Sequence, residues 1–231
     1  MEKSKLDGFI GRYSLGGEIE SVIIKSDDST ISVRMISDDK TLLGSVTVND
    51  TEFPIGEFGI YTTSQLKGFL SVLNENLSVE EVTGALKISD KKTTVQYMLA
   101  SPSVIPQVPD LKMLPDFGVE ITLDDDFINT FVKSKGVLSD SDVFTFMYKD
   151  GKGKVVLGYS TINSNRISID VDCTSSTDVE PIGFSAKYLK GILVANKGST
   201  DSKLRISSDG LAHLSFTHGE YTSEYFLVEV K

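Results

Sequence analysis

Apolar residues recur at the spacing of an amphipathic helix in four segments of the chain: residues 2–14, residues 63–74, a segment that begins after Thr122, and residues 184–197. In the first two, the i, i+3, i+4, i+7 stripe consists of Leu6, Phe9, Ile10 and Tyr13, and of Leu66, Phe69, Leu70 and Leu73. The stripes of the last two consist of Phe127, Ile128, Phe131 and Val132, and of Leu189, Ile192 and Leu193. The hydroxyl of Thr122 predicts an N-cap for the third helix.

Most of the remaining chain shows the short β-branched and aromatic runs that are typical of strands. The predicted strands are 21–25, 31–36, 45–48, 86–88, 93–99, 143–148, 154–159, 166–172, 203–207, 211–217 and 224–230. Two glycine-containing turns, 150–153 (DGKG) and 208–210 (SDG), predict hairpins. The pattern therefore predicts an α+β fold, mainly β with four helices.

Prolines divide the chain. Four of the six lie in residues 101–116, so neither a helix nor a ladder strand can run through this segment. We expect a first domain at 1–100, an extended connector at 101–116, and a second domain at 117–231.

The two predicted domains also share short matches. Residues 66–70 (LKGFL) match 189–193 (LKGIL) at an offset of 123, and residues 7–13 (DGFIGRY) match 125–131 (DDFINTF) at an offset of 118. Since the offsets are similar, a duplicated unit of helix, strands, helix and strands is the economical interpretation.

Composition limits the class of protein. With 231 residues and 39% hydrophobic content the chain can bury a core, and the single cysteine excludes an intrachain disulfide. No run of about 18 apolar residues is present to span a bilayer. These features predict a soluble, cytoplasmic protein with no membrane partner.

The charge is unevenly distributed. The net charge is −10, which argues against nucleic-acid binding only if it is spread evenly. The four predicted helices carry nine basic and five acidic residues, a net of +4, which leaves −14 for the rest. A surface made of the helices would be positive and could bind phosphates without reading sequence. The alternative is that these lysines only serve solubility.

No group of residues forms a catalytic or metal-binding motif. His213 and His218 are five residues apart in a predicted strand, so their side chains would lie on opposite faces. Cys173 has no neighbouring histidine, and Asp124, Asp125 and Asp126 would diverge around a helix axis rather than meet at one ion. The sequence therefore predicts a protein that is not an enzyme and has no metal or cofactor.

Three segments carry a family resemblance: 184–190 (FSAKYLK), 224–230 (EYFLVEV) and 61–70 (YTTSQLKGFL). Together with the duplication, the connector and the basic helices, they resemble the DNA polymerase sliding clamps of T4-like phages and, more distantly, the proliferating cell nuclear antigens. The resemblance implies two copies of the DNA-clamp fold per chain, three chains in a closed ring around duplex DNA, and a DNA polymerase and a clamp loader as partners. It places the protein in the host cytoplasm if a phage encodes it.

The resemblance also assigns residues. The helices would line the hole, and the DNA-facing side chains would be Lys3, Lys5, Arg12, Lys67, Lys133, Lys187, Lys190 and Lys197. Lys135 is left out because it falls toward the apolar side of its helix. Subunits would join through the predicted strands 93–99 and 166–172.

Partner proteins of such clamps insert an apolar peptide into a groove. The matching positions here are Ile36, Leu42, Val108, Leu111, Phe226 and Val228. The alternative is that these residues only hold the connector against its domain. For the whole protein, the alternative function is a structural or adhesive β-rich phage protein with duplicated domains; a hydrolase is disfavoured because no catalytic motif is present.

Overall fold

The computed structural model describes residues 1–111, 113–160, 162, 164–175 and 178–230. Lys112 of the predicted connector and Lys231 at the end of the predicted second domain lie outside the described residues. In the first half of the chain the elements are α1 (Lys3–Ser14), β1 (Val22–Ser26), β2 (Thr30–Ile36), β3 (Leu42–Asn49), β4 (Gly56–Ile60), α2 (Thr63–Ser71), β5 (Ser78–Val82), β6 (Ala85–Ser89) and β7 (Thr94–Met98).

The second half of the chain repeats this series with two additional strands. Its elements are β8 (Val119–Thr122), α3 (Asp125–Val137), β9 (Val143–Lys149), β10 (Lys152–Leu157), β11 (Ile167–Val171), β12 (Cys173–Ser175), β13 (Val179–Ser185), α4 (Ala186–Ala195), β14 (Asp201–Ser207), β15 (Leu211–His218) and β16 (Tyr221–Val228). A 3₁₀ turn, Pro102–Val104, lies in the proline-rich segment.

The chain forms two compact units. Unit 1 comprises Met1–Asp38, Gly44–Pro109 and Gly219–Ser223, and unit 2 comprises Asp39–Leu43, Asp110–His218 and Glu224–Lys231. The domain boundaries predicted at residues 100 and 117 stay a prediction.

The repeat is visible in the strand order. The strands between α1 and α2 are ordered β3-β2-β1-β4, and those between α3 and α4 are ordered β11-β10-β9-β13. In both cases the order is third, second, first, last; the additional strand β12 lies outside this group and pairs with β8. After the second helix of each half, three antiparallel strands follow in sequence, β5-β6-β7 and β14-β15-β16. Two copies of one α+β fold, with helices packed on antiparallel strands, are therefore present, as predicted.

The matched sequence segments occupy equivalent buried positions. Phe9 and Tyr13 pack edge to face at 5.5 Å in α1, and Phe127 and Phe131 stack at 6.0 Å in α3. Aromatic residues four positions apart lie on the same side of a helix, so each pair is directed toward the core of its unit.

Helix limits differ from the predicted ones at polar positions. The N-cap of α3 is Asp124, whose carboxylate accepts the Phe127 N–H at 2.7 Å. The prediction of Thr122 as N-cap is wrong, because Thr122 is the last residue of β8 and pairs with Lys203. α4 begins at Ala186, since residues before it belong to β13.

Both predicted hairpins are confirmed. Asp150 and Gly151 have φ angles of 52° and 78°, the left-handed pair that a two-residue turn between β9 and β10 requires. Gly210, at φ 82°, ends the loop between β14 and β15.

Strand β4 was not predicted, and its glycine explains why. The bridge between Gly59 and Ala100 brings the two backbones so close that a Cβ at residue 59 would lie 2.2 Å from the Ala100 carbonyl oxygen. Tertiary contact, and not local β propensity, therefore specifies this strand.

Candidate nucleic-acid and partner-binding surfaces

The basic residues of α1 contact other parts of unit 1. The Lys3 ammonium donates to the Leu73 carbonyl at 2.9 Å, just beyond the end of α2, where a positive charge also interacts favourably with the helix dipole. Lys5 lies 2.8 Å from Glu220 and 3.7 Å from the buried Asp50 carboxylate. The hydrogen bond with Glu220 raises the pKa of Lys5, so its charge is retained over a wider pH range.

Arg12 is a correction to the predicted DNA-facing set. Its side chain is 7% exposed, its guanidinium lies 4.0 Å from the centroid of the Tyr221 ring, and Nη1 donates to the Gly8 carbonyl at 3.0 Å. Because Tyr221 also packs against residue 8, a Cβ there would lie 2.8 Å from its hydroxyl, which accounts for the glycine. Arg12 therefore holds α1 in place and is not available to a phosphate.

Five predicted DNA-facing lysines lie on or next to the other three helices, and four of them, Lys67, Lys133, Lys187 and Lys197, are exposed. The fifth, Lys190, is half-buried. In both halves of the chain the lysine of the shared Leu-Lys-Gly motif lies between buried leucines, Leu66 and Leu70 in α2 and Leu189 and Leu193 in α4. The spacing that buries the leucines turns the lysine outward.

Unit 2 carries four of these lysines, on or next to α3 and α4. Helices α3 and α4 contact each other, and the Lys197 ammonium donates to the Asn129 side-chain oxygen of α3 at 3.0 Å. The Lys187 ammonium lies 4.7 Å from the centroid of the Tyr188 ring. Lys187 and Lys190 are one helical turn apart, so the α3 and α4 pair presents positive charge to solvent.

The charged residues of α3 that the sequence did not assign to a binding site have structural roles. Lys135 is buried and donates to the Ser139 carbonyl beyond the end of α3. Asp124 caps α3, as described above, and Asp125 and Asp126 occupy its first turn, where negative charge is favourable. Among the described residues, no group of three or more His, Cys, Asp or Glu side chains could hold a metal ion.

The buried histidine belongs to an aromatic cluster in unit 2. The His213 ring stacks on Phe226 with centroids 4.5 Å apart and planes 11° apart, and Phe117 lies 5.8 Å away. Burial is the main cause that lowers the pKa of His213; Arg205 lowers it further, while Glu224 opposes the shift. The neutral ring is thus the favoured form in the folded protein.

Two of the predicted partner-groove residues, Ile36 and Val108, are half-buried in unit 1. Ile36 lines a cavity with Tyr61 and Val104, and Val108 lines a second cavity with Ile23 and Val33. Pro106 lines both cavities. The hydrogen bond from the Arg34 guanidinium to the Pro109 carbonyl, at 2.7 Å, fixes this part of the connector on β2.

The other four predicted groove residues belong to unit 2 and differ in exposure. Leu111 and Val228 are 42% and 39% exposed, whereas Phe226 is 9% exposed and Leu42 is fully buried. Leu42 is a correction, because a side chain without accessible surface cannot contact a peptide. Phe226 offers little surface beyond its stack with His213.

The strands predicted to join subunits each pair on one side only. Within the part of the chain that the structure describes, β7 pairs with β6 alone and β11 pairs with β10 alone. Each strand is five residues long and has a second edge whose backbone groups can accept another strand. Sequence reasoning found both strands. It did not bring together Asp124, Asp126, Asp170 and Asp172, which line a cavity beside β11, because these residues come from separate segments of the chain.

No protein-family model and no curated protein sequence matches the chain. Among solved structures, the proliferating cellular nuclear antigen of Entamoeba histolytica matches with a TM-score of 0.75 and 16% identity, covering 100% of this chain and 97% of that one. The PCNA2-PCNA3 complex of Sulfolobus tokodaii matches with a TM-score of 0.75 and 14% identity, covering 99% and 97%. At these identities the likeness shows the fold, which is that of the sliding clamps.

None of the helices in the described part of the chain is both long and apolar enough to cross a membrane.

Proposed function

We propose that this chain is a sliding clamp: three copies close into a ring around duplex DNA and tether a DNA polymerase, without catalysing a reaction. The observation that carries the proposal is the set of lysines exposed on α2, α3 and α4 of a duplicated clamp fold whose net charge is −10. The full-length likeness to proliferating cell nuclear antigen structures supports it.

The mechanism follows from topology and weak contacts. Flexible lysines contact phosphates without reading bases, so the protein binds duplex DNA non-specifically and moves along it with a low barrier. A ring linked around the duplex does not need high affinity to stay bound. By holding a polymerase near the primer end, it raises the local concentration of that polymerase.

The proposal includes partners. A closed ring needs a separate clamp loader to place it on circular DNA. The predicted groove residues that are accessible to a partner peptide are Ile36 and Val108 within unit 1. Within unit 2 they are Leu111 and Val228. A phage origin and a cytoplasmic location remain predictions from the sequence resemblance.

Two measurements test the proposal. Light scattering should give a molar mass near three times 25.2 kDa, the mass of one chain. After loading, the protein should co-elute with nicked circular DNA and should be released when a restriction enzyme linearises that DNA. A trimer that leaves circular and linear DNA equally fast contradicts the clamp, and a monomer favours the structural or adhesive alternative.

A further inference from the structure

The second helices of the two halves can be compared position by position. The match of residues 66–70 with residues 189–193 aligns α2 with α4 at an offset of 123. Positions i, i+3, i+7 and i+10 lie on one face of a helix. On and just after α4 this face, the α4 stripe, consists of Lys187, Lys190, Val194 and Lys197. The equivalent α2 stripe consists of Ser64, Lys67, Ser71 and Asn74. Three lysines in unit 2 thus correspond to one lysine in unit 1.

The α4 stripe carries positive charge with no acidic residue on its own helix. Lys187 and Lys197 are exposed, and Lys190 is half-buried. The Lys197 ammonium donates to the Asn129 side-chain oxygen at 3.0 Å, and this contact orients the side chain without neutralising its charge. The exposed Lys133 of α3 adds a fourth positive charge in the same unit. Unit 2 therefore presents a basic surface that phosphates can contact.

Carboxylates lie at both ends of the α2 stripe. The Glu20 carboxylate accepts the Ser64 N–H at 2.8 Å. The Asp90 carboxylate accepts the Asn74 N–H at 2.8 Å and the Asn74 side-chain amide at 2.7 Å. These are the two positions at which the α4 stripe has its outer lysines. Unit 1 therefore has negative charge where unit 2 has positive charge, and a phosphate near either end of the α2 stripe is repelled.

Helix α1 does not compensate for the carboxylates of unit 1. Its three basic residues contact groups of the same unit, namely the Leu73 carbonyl, the Glu220 carboxylate and the Tyr221 ring. A cation that already has such a partner gains less from a phosphate, because the existing contact must be given up or shared. Lys67 is exposed, but it lies on the stripe that is flanked by carboxylates.

We propose that each chain holds duplex DNA mainly through phosphate contacts of the α4 stripe in unit 2, and that the α2 stripe in unit 1 contributes little. This inference rests on the proposed function and restricts it, since the sequence resemblance assigned DNA-facing residues to both units. A ring of three chains then has three basic stripes instead of six. Fewer phosphate contacts have to be exchanged at each step along the duplex, which keeps the barrier to sliding low.

The lysine of the shared Leu-Lys-Gly motif provides a matched pair of variants. Lys190→Glu and Lys67→Glu make the same charge change at equivalent positions, and light scattering checks that both keep the wild-type mass. Fluorescence anisotropy with a short duplex at low salt should show a loss of affinity of about three- to tenfold for Lys190→Glu and less than about twofold for Lys67→Glu. The salt dependence of binding should become shallower only in Lys190→Glu. Equal losses would overturn the proposal and leave the clamp function intact, whereas a wild-type chain that is not retained on circular DNA contradicts both.

Photo-crosslinking tests the position of the DNA while leaving the lysines in place. In a Cys173→Ser background, Val194→Cys and Ser71→Cys place a thiol at the same exposed position of the two stripes. Each thiol is labelled with benzophenone maleimide and irradiated with the same duplex. The yield of crosslinked DNA should be about threefold or more higher for Val194→Cys, because phosphates concentrate at a positive surface. Equal yields, or a higher yield for Ser71→Cys, overturn the proposal. If neither thiol crosslinks although the protein is retained on circular DNA, another surface holds the duplex and the proposal is wrong.

Discussion

The guanidinium of Arg12 lies over the ring of Tyr221, 4.0 Å from its centroid, and the Tyr221 hydroxyl donates to the Lys5 carbonyl at 3.0 Å. This contact ties the first residue of β16 to α1 within unit 1. It gives a basic helix residue a role in stability rather than in DNA binding.

Replacing Arg12 with Ala should therefore reduce the free energy of unfolding by about 2 kcal/mol, because a desolvated cation–π contact and a charged hydrogen bond are lost. Lys67→Ala, on the exposed face of α2, should change it by less than about 0.5 kcal/mol. Urea unfolding of both variants measures the difference. Unchanged stability with weaker DNA retention in Arg12→Ala would return this residue to the DNA-facing set.

The exposed lysines should act together on DNA. A variant with five of these lysines changed to Glu should give shorter polymerase extension products, and its extension should be more sensitive to salt, because fewer phosphate contacts remain. The five positions are Lys67, Lys133, Lys187, Lys190 and Lys197. The thermal midpoint should stay nearly the same, since the five side chains are exposed or half-buried.

A charge-matched control separates a surface effect from net charge. The control variant has the same change in net charge, but its five substitutions to Glu lie outside the helices, at Lys25, Lys40, Lys87, Lys149 and Lys152. Extension lengths should stay near those of the wild type in this variant. Equal losses in the two quintuple variants would show that overall charge, and not the helix surface, governs the interaction.

Partner binding should depend on the exposed apolar residue Leu111. Leu111→Ala should lower the affinity for a polymerase C-terminal peptide by about 1 to 3 kcal/mol, because such grooves concentrate their energy in a few anchors. Trimer mass and thermal midpoint should be unchanged. Ile55→Ala, at an exposed apolar residue outside the predicted groove, is the control. Isothermal titration calorimetry with equal affinities for both variants would place the docking site elsewhere.

Phe226 requires a different substitution. Since it is buried and stacked on His213, Phe226→Ala should destabilise the protein by about 3 kcal/mol or more. Phe226→Leu retains most of the volume and is the better probe of peptide affinity.

Stability should fall on mild acidification because of His213. Its pKa is lowered in the folded state, so the unfolded chain binds more protons below its ordinary pKa of about 6.5. The contribution of the neutral His213 ring to the free energy of unfolding is complete above pH 6.5, and it is lost as the pH falls through the folded-state pKa of His213. The charged groups around His213 are Glu224 on β16 and Arg205 on β14. Arg205 in turn forms an ion pair with Glu120 on β8.

Urea unfolding between pH 7.5 and 5.5 measures this slope. His213→Phe, which keeps a ring against Phe226, should flatten it, whereas His218→Gln should not. Glu120 and Asp90, whose pKa values are lowered by their hydrogen bonds, affect stability only at lower pH. An unchanged slope in His213→Phe would show that another group is responsible.

The sequence by itself determined the local and repeated features of this protein. Spacing of 3.6 and 2 residues identified all four helices and most strands, and the match of Leu66 and Leu70 to Leu189 and Leu193 revealed the duplication, because equivalent core positions require similar side chains. The glycine turns at 150–153 and 208–210 were predictable because few residues adopt a left-handed backbone.

Only the tertiary structure decided which charged and apolar residues are accessible. Arg12 follows the helix pattern of a surface cation, yet Tyr221, more than two hundred residues later, covers it. Leu42 is apolar, as a groove residue should be, but it is fully buried. Strand β4 depends on the approach of Ala100 to Gly59. Exposure depends on contacts between residues that are distant in sequence, and periodicity in one segment carries no information about which distant segment packs against it.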